Sequence, residues 1–347
     1  MANVLASDRP TAWSFGRPRP ATGQQASLSW TPPPDRRFDA ARHGVPRFHG
    51  NATTLMQPRS HRLAFATSAG LPSIQPDDAH LAQVLDDLGL HPVSCVWNDP
   101  SVDWSTFDAV LIRTIWDYFQ YYPAFLAWLD RLDELGIRTI NDSALLRWNS
   151  DKRYLLDLAE HGAAVIPSRF ADADELDGVM AAMRGQQVVI KPTVSGGAWH
   201  TLCGVAGDAT LTSAMAGLPA ERGYLVQPFV AEIVSAGEWS LVYVGGSYSH
   251  AVLKHPSAGD YRVQEEHGGT VTLIEPDSTI RAAAARVLEA VAALGHGKHA
   301  YARIDGVASA GQFLMMELEL LEPCLFLAGF PAAAERLALH IAGLLKA

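Results

Sequence analysis

Residues 313–321 read FLMMELELL, an apolar run that carries two glutamates two positions apart. A strand repeats its side-chain direction every second residue, so Glu317 and Glu319 leave one face together while Met316, Leu318 and Leu320 turn to the other. Adjacent carboxylates repel one another unless a cation sits between them. Such a strand therefore needs a core on one face and, on the other, either water or a cation. The preceding run YARIDGV (301–307) is also strand-like, and SAGQ closes a hairpin between the two. Folding about Ala310 places odd-numbered residues of both strands on one face, with Arg303 and Asp305 beside Glu317 and Glu319. Three carboxylates so placed suit a hard cation such as Mg²⁺, which binds oxygen and keeps waters and phosphates in its shell. A solvated sheet face would also carry them, but the flanks are too apolar for an exposed edge.

The remainder of the chain alternates strand and helix. RLAFAT (62–67), PVSCVW (92–97), AVLIRT (109–114) and RTIN (138–141) read as strands, with helices over 77–90 and 123–135. That alternation predicts an open, mostly parallel sheet. Two helical stretches follow from Ser143. QQVVIKP (186–192), YLVQPFV (224–230), EWSLVYVGG (238–246) and SYSHAVLKHP (247–256) then read as strands, the last two joined by a Gly-Gly turn. A helix over 279–294 precedes the acidic hairpin, and another closes the chain.

Composition narrows the function. The formal net charge is −10, which disfavours a general nucleic-acid binder. No apolar run reaches the roughly 18 residues of a membrane span. Cys95, Cys203 and Cys324 lie far apart without metal-ligand spacing, so neither a disulfide framework nor a zinc site is expected, and a reducing cytoplasm is the default compartment. There are 22 arginines but only five lysines. Against that bias Lys152, Lys191 and Lys254 stand out. Residues 1–60 hold seven arginines up to Arg47, TPPP at 31–34 and no sustained periodicity. They read as a disordered tail, with a targeting segment or a true start at Met56 as alternatives.

Two further stretches carry chemistry. In VVIKPTVSGGAWHT (188–201) a lysine ends a β-branched strand ahead of a Ser-Gly-Gly loop, where backbone N–H groups can approach phosphate oxygens. The P-loop pattern is absent. In LKHPSAGDYRVQEEHGG (253–269) Lys254 and Arg262 flank a long polar loop that could hold a phosphoryl group or a carboxylate, or be merely mobile.

Taken in order, KHPSAGDYRVQEEHGG, YARID and MELELLEP resemble the C-terminal half of bacterial glutathione synthetase, within the ATP-grasp superfamily. The Glu-x-Glu strand, the VVxKPTxS loop and IRTIWDY (112–118) resemble more closely the group containing the O-ureidoserine cyclo-ligase of cycloserine biosynthesis. The resemblance runs from about residue 62 to the end. It implies an α/β ATP-grasp fold: a pre-ATP-grasp α/β domain over 61–142, a small lid subdomain over 143–226, and a C-terminal subdomain with a mixed or antiparallel sheet over 227–347.

The resemblance also implies roles. Lys152, Lys191, Ser195 and Gly196 would meet ATP phosphates; Gln227, Pro228, Phe229 and Val230 would form the hinge against adenine, with Glu232 and Glu238 near the nucleotide. Asp305, Glu317 and Glu319 would bind two Mg²⁺ ions, with Mn²⁺ as a substitute. Arg262 and Lys254 would stabilise the transferring charge, although Lys254 stands where glutathione synthetase has arginine and loses the fork geometry. Arg113, Trp116 and His200 would line the acceptor pocket; Arg113 fits a buried structural role equally well, and Trp116 a core one. The implied activity is ATP-dependent carboxylate–amine ligation or cyclisation through an acyl phosphate, releasing ADP, on small carboxylate and amine substrates, in a protein whose relatives are often homodimers. A glutathione-synthetase-type amino-acid or peptide ligase and a non-catalytic nucleotide-binding protein are the alternatives.

Overall fold

The computed structural model describes residues 61–264 and 267–346; the readings made for residues 1–60 lie outside the described residues. Three sheets succeed one another along the chain. The first contains β1 (Leu63–Thr67), β2 (Pro92–Val96), β3 (Ala109–Thr114) and β4 (Arg138–Ile140) in the order β2-β1-β3-β4, all parallel. Every residue of β1 and β3 is buried, as befits strands covered on both faces. Leu81 and Leu85 of α1 (Ala79–Asp87) cover one face, and Phe125, Trp128, Leu129 and Leu132 of α2 (Tyr122–Glu134) cover the other.

α3 (Ser143–Asn149) and α4 (Tyr154–Glu160) lead to the second sheet. It is antiparallel, ordered β5-β8-β6-β7, from β5 (Arg169–Asp172), β6 (Gln187–Pro192), β7 (Leu202–Val205) and β8 (Gly223–Pro228). α5 (Leu176–Ala182) and α6 (Ala209–Met215) supply its core. β5 and β7 are four residues each, too short to carry a periodic signal. α3 and α4 were expected in this lid unit. Leu145, Tyr154, Leu155 and Leu158 share one core with Leu225 of β8 and with Leu241, Ile304 and Leu318 of the third sheet.

After α7 (Glu232–Ser235) comes the third sheet, antiparallel, ordered β11-β10-β9-β12-β13: β9 (Glu238–Val244), β10 (Ser247–His255), β11 (Thr270–Leu273), β12 (Tyr301–Ser309) and β13 (Gln312–Glu319). α8 (Ser278–Ala293), capped by the Asp277 carboxylate on Thr279 and Ile280 N–H, packs on one face. α9 (Pro331–Lys346) packs on the other and shares its core with β1 and α1. Among the described residues no helix is long and apolar enough to cross a membrane.

The acidic hairpin departs from its expected geometry in one instructive way. Ser309 pairs with Gln312, so the turn is the two-residue Ala310–Gly311, both at positive φ as a type I′ turn requires. That turn pairs odd positions with even ones, and near the tip Gly306 does face Met315. A β-bulge then leaves Met316 without a partner, after which Asp305 faces Glu317 and Arg303 faces Glu319. Met315 rather than Met316 therefore enters the core, together with Leu318 and Leu320. The bulge restores the parity that a hairpin turning on Ala310 alone would have had.

Candidate active site

The face carrying Asp305, Glu317 and Glu319 gathers acids and bases from six separate places in the chain. Asp305 lies at the floor, 4% exposed. Arg303 Nε and Nη2 grip both its oxygens at 2.8–3.2 Å, and Ser240 Oγ donates to it at 2.6 Å. Burial alone would raise this carboxyl, but Arg303, Lys254 and these hydrogen bonds outweigh it and hold it at about 2. Arg303 also pairs with Glu319 and donates to the Cys324 carbonyl at 3.0 Å. Glu319 is pushed up to about 8 by burial, with Asp305 and Glu317 adding to it against Arg303.

Lys152, in the link between α3 and α4, joins the two halves of the site. Its Nζ sits 3.0 Å from Glu317 and donates at 2.7 Å to the Ser195 carbonyl in the loop after β6. Burial would raise Glu317, but Lys152 and Lys191 together hold it below its usual range. Lys191, on β6, is drawn below the usual lysine range by burial, with Glu317 the strongest opposing charge. Ser195 is buried, and its hydroxyl donates to Pro192 O at 2.9 Å. A side chain at Gly196 would press on the Phe119 ring at 3.0 Å. Glu238 opens β9 directly opposite Lys254 on β10; the two form a buried ion pair, and Lys254 also reaches Asp305 at 3.6 Å. The fold brings Lys152, Lys191, Ser195, Glu238, Lys254, Asp305, Glu317 and Glu319 near one another.

Others are held elsewhere. Glu232 accepts from Ser309 at the hairpin tip, at the far end of β12 from Arg303. The Arg262 guanidinium lies along Asp260, three contacts at 2.7–3.2 Å. The Gln227 side chain donates to Ser168, the Phe229 N–H is taken by the Gln187 carbonyl, and Pro228 has no N–H; Phe229 itself leans edge-on against Tyr261. Val230 O receives the Ile233 N–H. Hinge contacts through these groups must use the atoms left over. Arg113 is 2% exposed, paired with Asp78 at 3.0 Å and donating to Pro323 O. Trp116 Nε1 donates to Glu322 O at 2.9 Å. His200 sits at φ 49° against Trp199 at the end of the Ser-Gly-Gly loop.

Two residues not given a role beforehand belong to the site. Arg303, two residues before Asp305, is legible from the same period-two rule. Glu322 lies beyond the strand, where no periodicity reaches. Among the described residues no three His, Cys, Asp or Glu side chains converge as a ready ligand set. The donor chemistry nonetheless suits a hard divalent ion: Asp305, Glu317 and Glu319 offer only oxygen, and the acids around them outnumber the four nearby cations (Lys152, Lys191, Lys254, Arg303). Glu317 and Glu319 keep 29% and 25% of their side-chain surface open, so an ion can reach them.

The N-terminal domain family of D-cycloserine synthetase DcsG matches residues 63–141. The cycloserine biosynthesis protein DcsG of Streptomyces lavendulae is 33% identical over 307 residues, covering 82% of this chain and 99% of that protein. The crystal structure of D-cycloserine synthetase DcsG superposes with TM-score 0.71 at 32% identity, over 82% of this chain and 99% of that one. D-alanine–D-alanine ligase from Bacillus anthracis shares the fold at TM-score 0.57 and 16% identity, over 82% and 97% of the chains. The chain therefore belongs to the DcsG family of ATP-grasp ligases, ATP-dependent enzymes that form carbon–nitrogen bonds.

Proposed function

We propose that this protein cyclises an O-ureidoserine-like amino acid, activating its carboxylate with ATP as an acyl phosphate and closing the ring by attack of a nitrogen. The observation that carries this reading is Lys152, which ties the Ser-Gly-Gly loop to the carboxylate strand through Ser195 and Glu317. A phosphate chain lying between loop and strand would meet Lys152 and Lys191 on one side and the acids on the other. Asp305, Glu317 and Glu319 would hold one or two Mg²⁺ ions, with Mn²⁺ as a substitute; bound there, the metal neutralises phosphate charge. Lys254 keeps Asp305 and Glu238 paired and fixed. Arg303 fixes Asp305 and Glu319 in place, and Arg262 is the further cation for developing charge. With few covalent tasks left to the protein, rate comes from positioning and charge neutralisation.

The test is substrate-dependent ADP and phosphate release with O-ureidoserine as substrate, with and without Mg²⁺. Release of ADP and formation of a cyclic product, both abolished by chelation, are expected. Turnover of amino-acid pairs or peptides but not O-ureidoserine would instead make the protein an intermolecular ligase of the glutathione-synthetase type.

A further inference from the structure

The chain leaving β13 is gripped along its backbone. Asn149 Nδ2 donates to the Leu318 carbonyl, Asn141 Nδ2 to Leu320, Trp116 Nε1 to Glu322, Arg113 Nη2 to Pro323, Arg303 Nη1 to Cys324, and the Tyr301 hydroxyl lies 3.0 Å from the Leu321 oxygen. These donors come from four separate segments. Glu322 rides on this immobilised backbone.

Its carboxylate differs from the other four in the cluster. Glu238 pairs with Lys254, Asp305 with Arg303 and Lys254, Glu317 with Lys152, and Glu319 with Arg303. Among the described residues Glu322 has no ion pair, and its carboxylate is hydrogen-bonded only to its own backbone N–H, although it is half-buried and within the field of Lys152, Glu317 and the buried Tyr118. A half-buried carboxylate without a cation is costly unless a ligand supplies one. Every internal cation nearby is already committed to another acid or lies toward the phosphate side.

We propose that Glu322 is a specificity-determining residue that receives the amino group of the substrate, holding an ammonium or N–H beside Glu317 and so selecting amino-acid-like substrates. This rests on the cyclo-ligase reading. Arg113 and Trp116 act through it as positioning residues, by fixing the carbonyls on either side.

The test compares kcat/KM for O-ureidoserine and for its desamino analogue, 3-(ureidooxy)propanoate, in the wild type, Glu322→Gln and Glu322→Asp. A charge-assisted hydrogen bond predicts a wild-type preference of about 10- to 100-fold for the amino compound, close to equality in Glu322→Gln, and partial preference in Glu322→Asp. The thermal shift given by MgATP alone should be equal in all three. An unchanged preference in an active Glu322→Gln overturns the assignment, as does loss of its MgATP shift, which would place Glu322 with the metal and nucleotide. A wild type that turns over neither compound refutes the cyclo-ligase reading itself.

Discussion

Asn149 offers the sharpest test of how the acidic strand is held. It ends α3, and its amide straddles the strand end: Nδ2 donates to Leu318 O and Oδ1 accepts from Leu320 N, both at 2.8 Å. Leu318 and Leu320 are 1% and 0% exposed, so no water replaces the amide when it is removed. Asn149→Ala strands one buried carbonyl and one buried N–H. Each costs about 1–3 kcal/mol, so the variant should lose about 4 kcal/mol. At about 2–4 °C per kcal/mol for a chain of this size, the midpoint of thermal unfolding should fall by about 8–16 °C. Asn149→Asp keeps the acceptor toward Leu320 but sets a carboxylate oxygen against the Leu318 carbonyl, so it too should unfold well below the wild type. Differential scanning calorimetry measures all three. A drop of under about 2 °C in Asn149→Ala would refute the idea that this side chain completes the backbone pairing of the strand, and with it the explanation of how Glu319 is fixed.

Three other outcomes follow from the same geometry. MgATP at ~100 times its dissociation constant should add about 2.7 kcal/mol to native stability, and Glu317→Gln should lose most of that gain in a thermal-shift titration; an undiminished shift would remove Glu317 from the metal-binding set. Gly306→Ala puts a carbon 2.5 Å from Leu314 O and closer still to the Phe313 ring opposite the bulge, so chemical denaturation should show a loss of about 1–3 kcal/mol. His250 is held below the usual imidazole range by burial, its Nε2 donating to Leu325 O and its ring stacked on Phe330. The unfolded chain then binds the proton first, so stability is whole above pH ~6.5 and falls as pH drops toward the native value. His250→Gln should flatten that decline in midpoint between pH 7 and 5, and an unaltered slope would assign it to other groups.

What the sequence determined by itself were the features that rest on local periodicity and charge. Period-two placement of Glu317 and Glu319 in an apolar strand specified an acidic face, and strand–helix alternation over 62–141 specified a parallel sheet, because each strand or helix is signalled within its own short window. Lysine scarcity singled out Lys152, Lys191 and Lys254, and all three arrive at that face. Tertiary structure decided the rest. The alignment of Asp305 with Glu317 depends on a bulge at Met316, whose presence offsets a turn one half-step from Ala310; nothing local to MMELEL distinguishes a bulged strand from a regular one. α3 and α4 look like any amphipathic pair, and which sheet they cover depends on the distant apolar faces of β9 and β12. Arg113 ends a strand where ligands often bind, yet Asp78, 35 residues earlier, takes its charge into the core. Glu322 shows the same division most plainly. Its sequence neighbours announce only a proline-ended strand, while its availability as a carboxylate follows from four distant segments holding the backbone around it still and from every nearby cation being committed elsewhere.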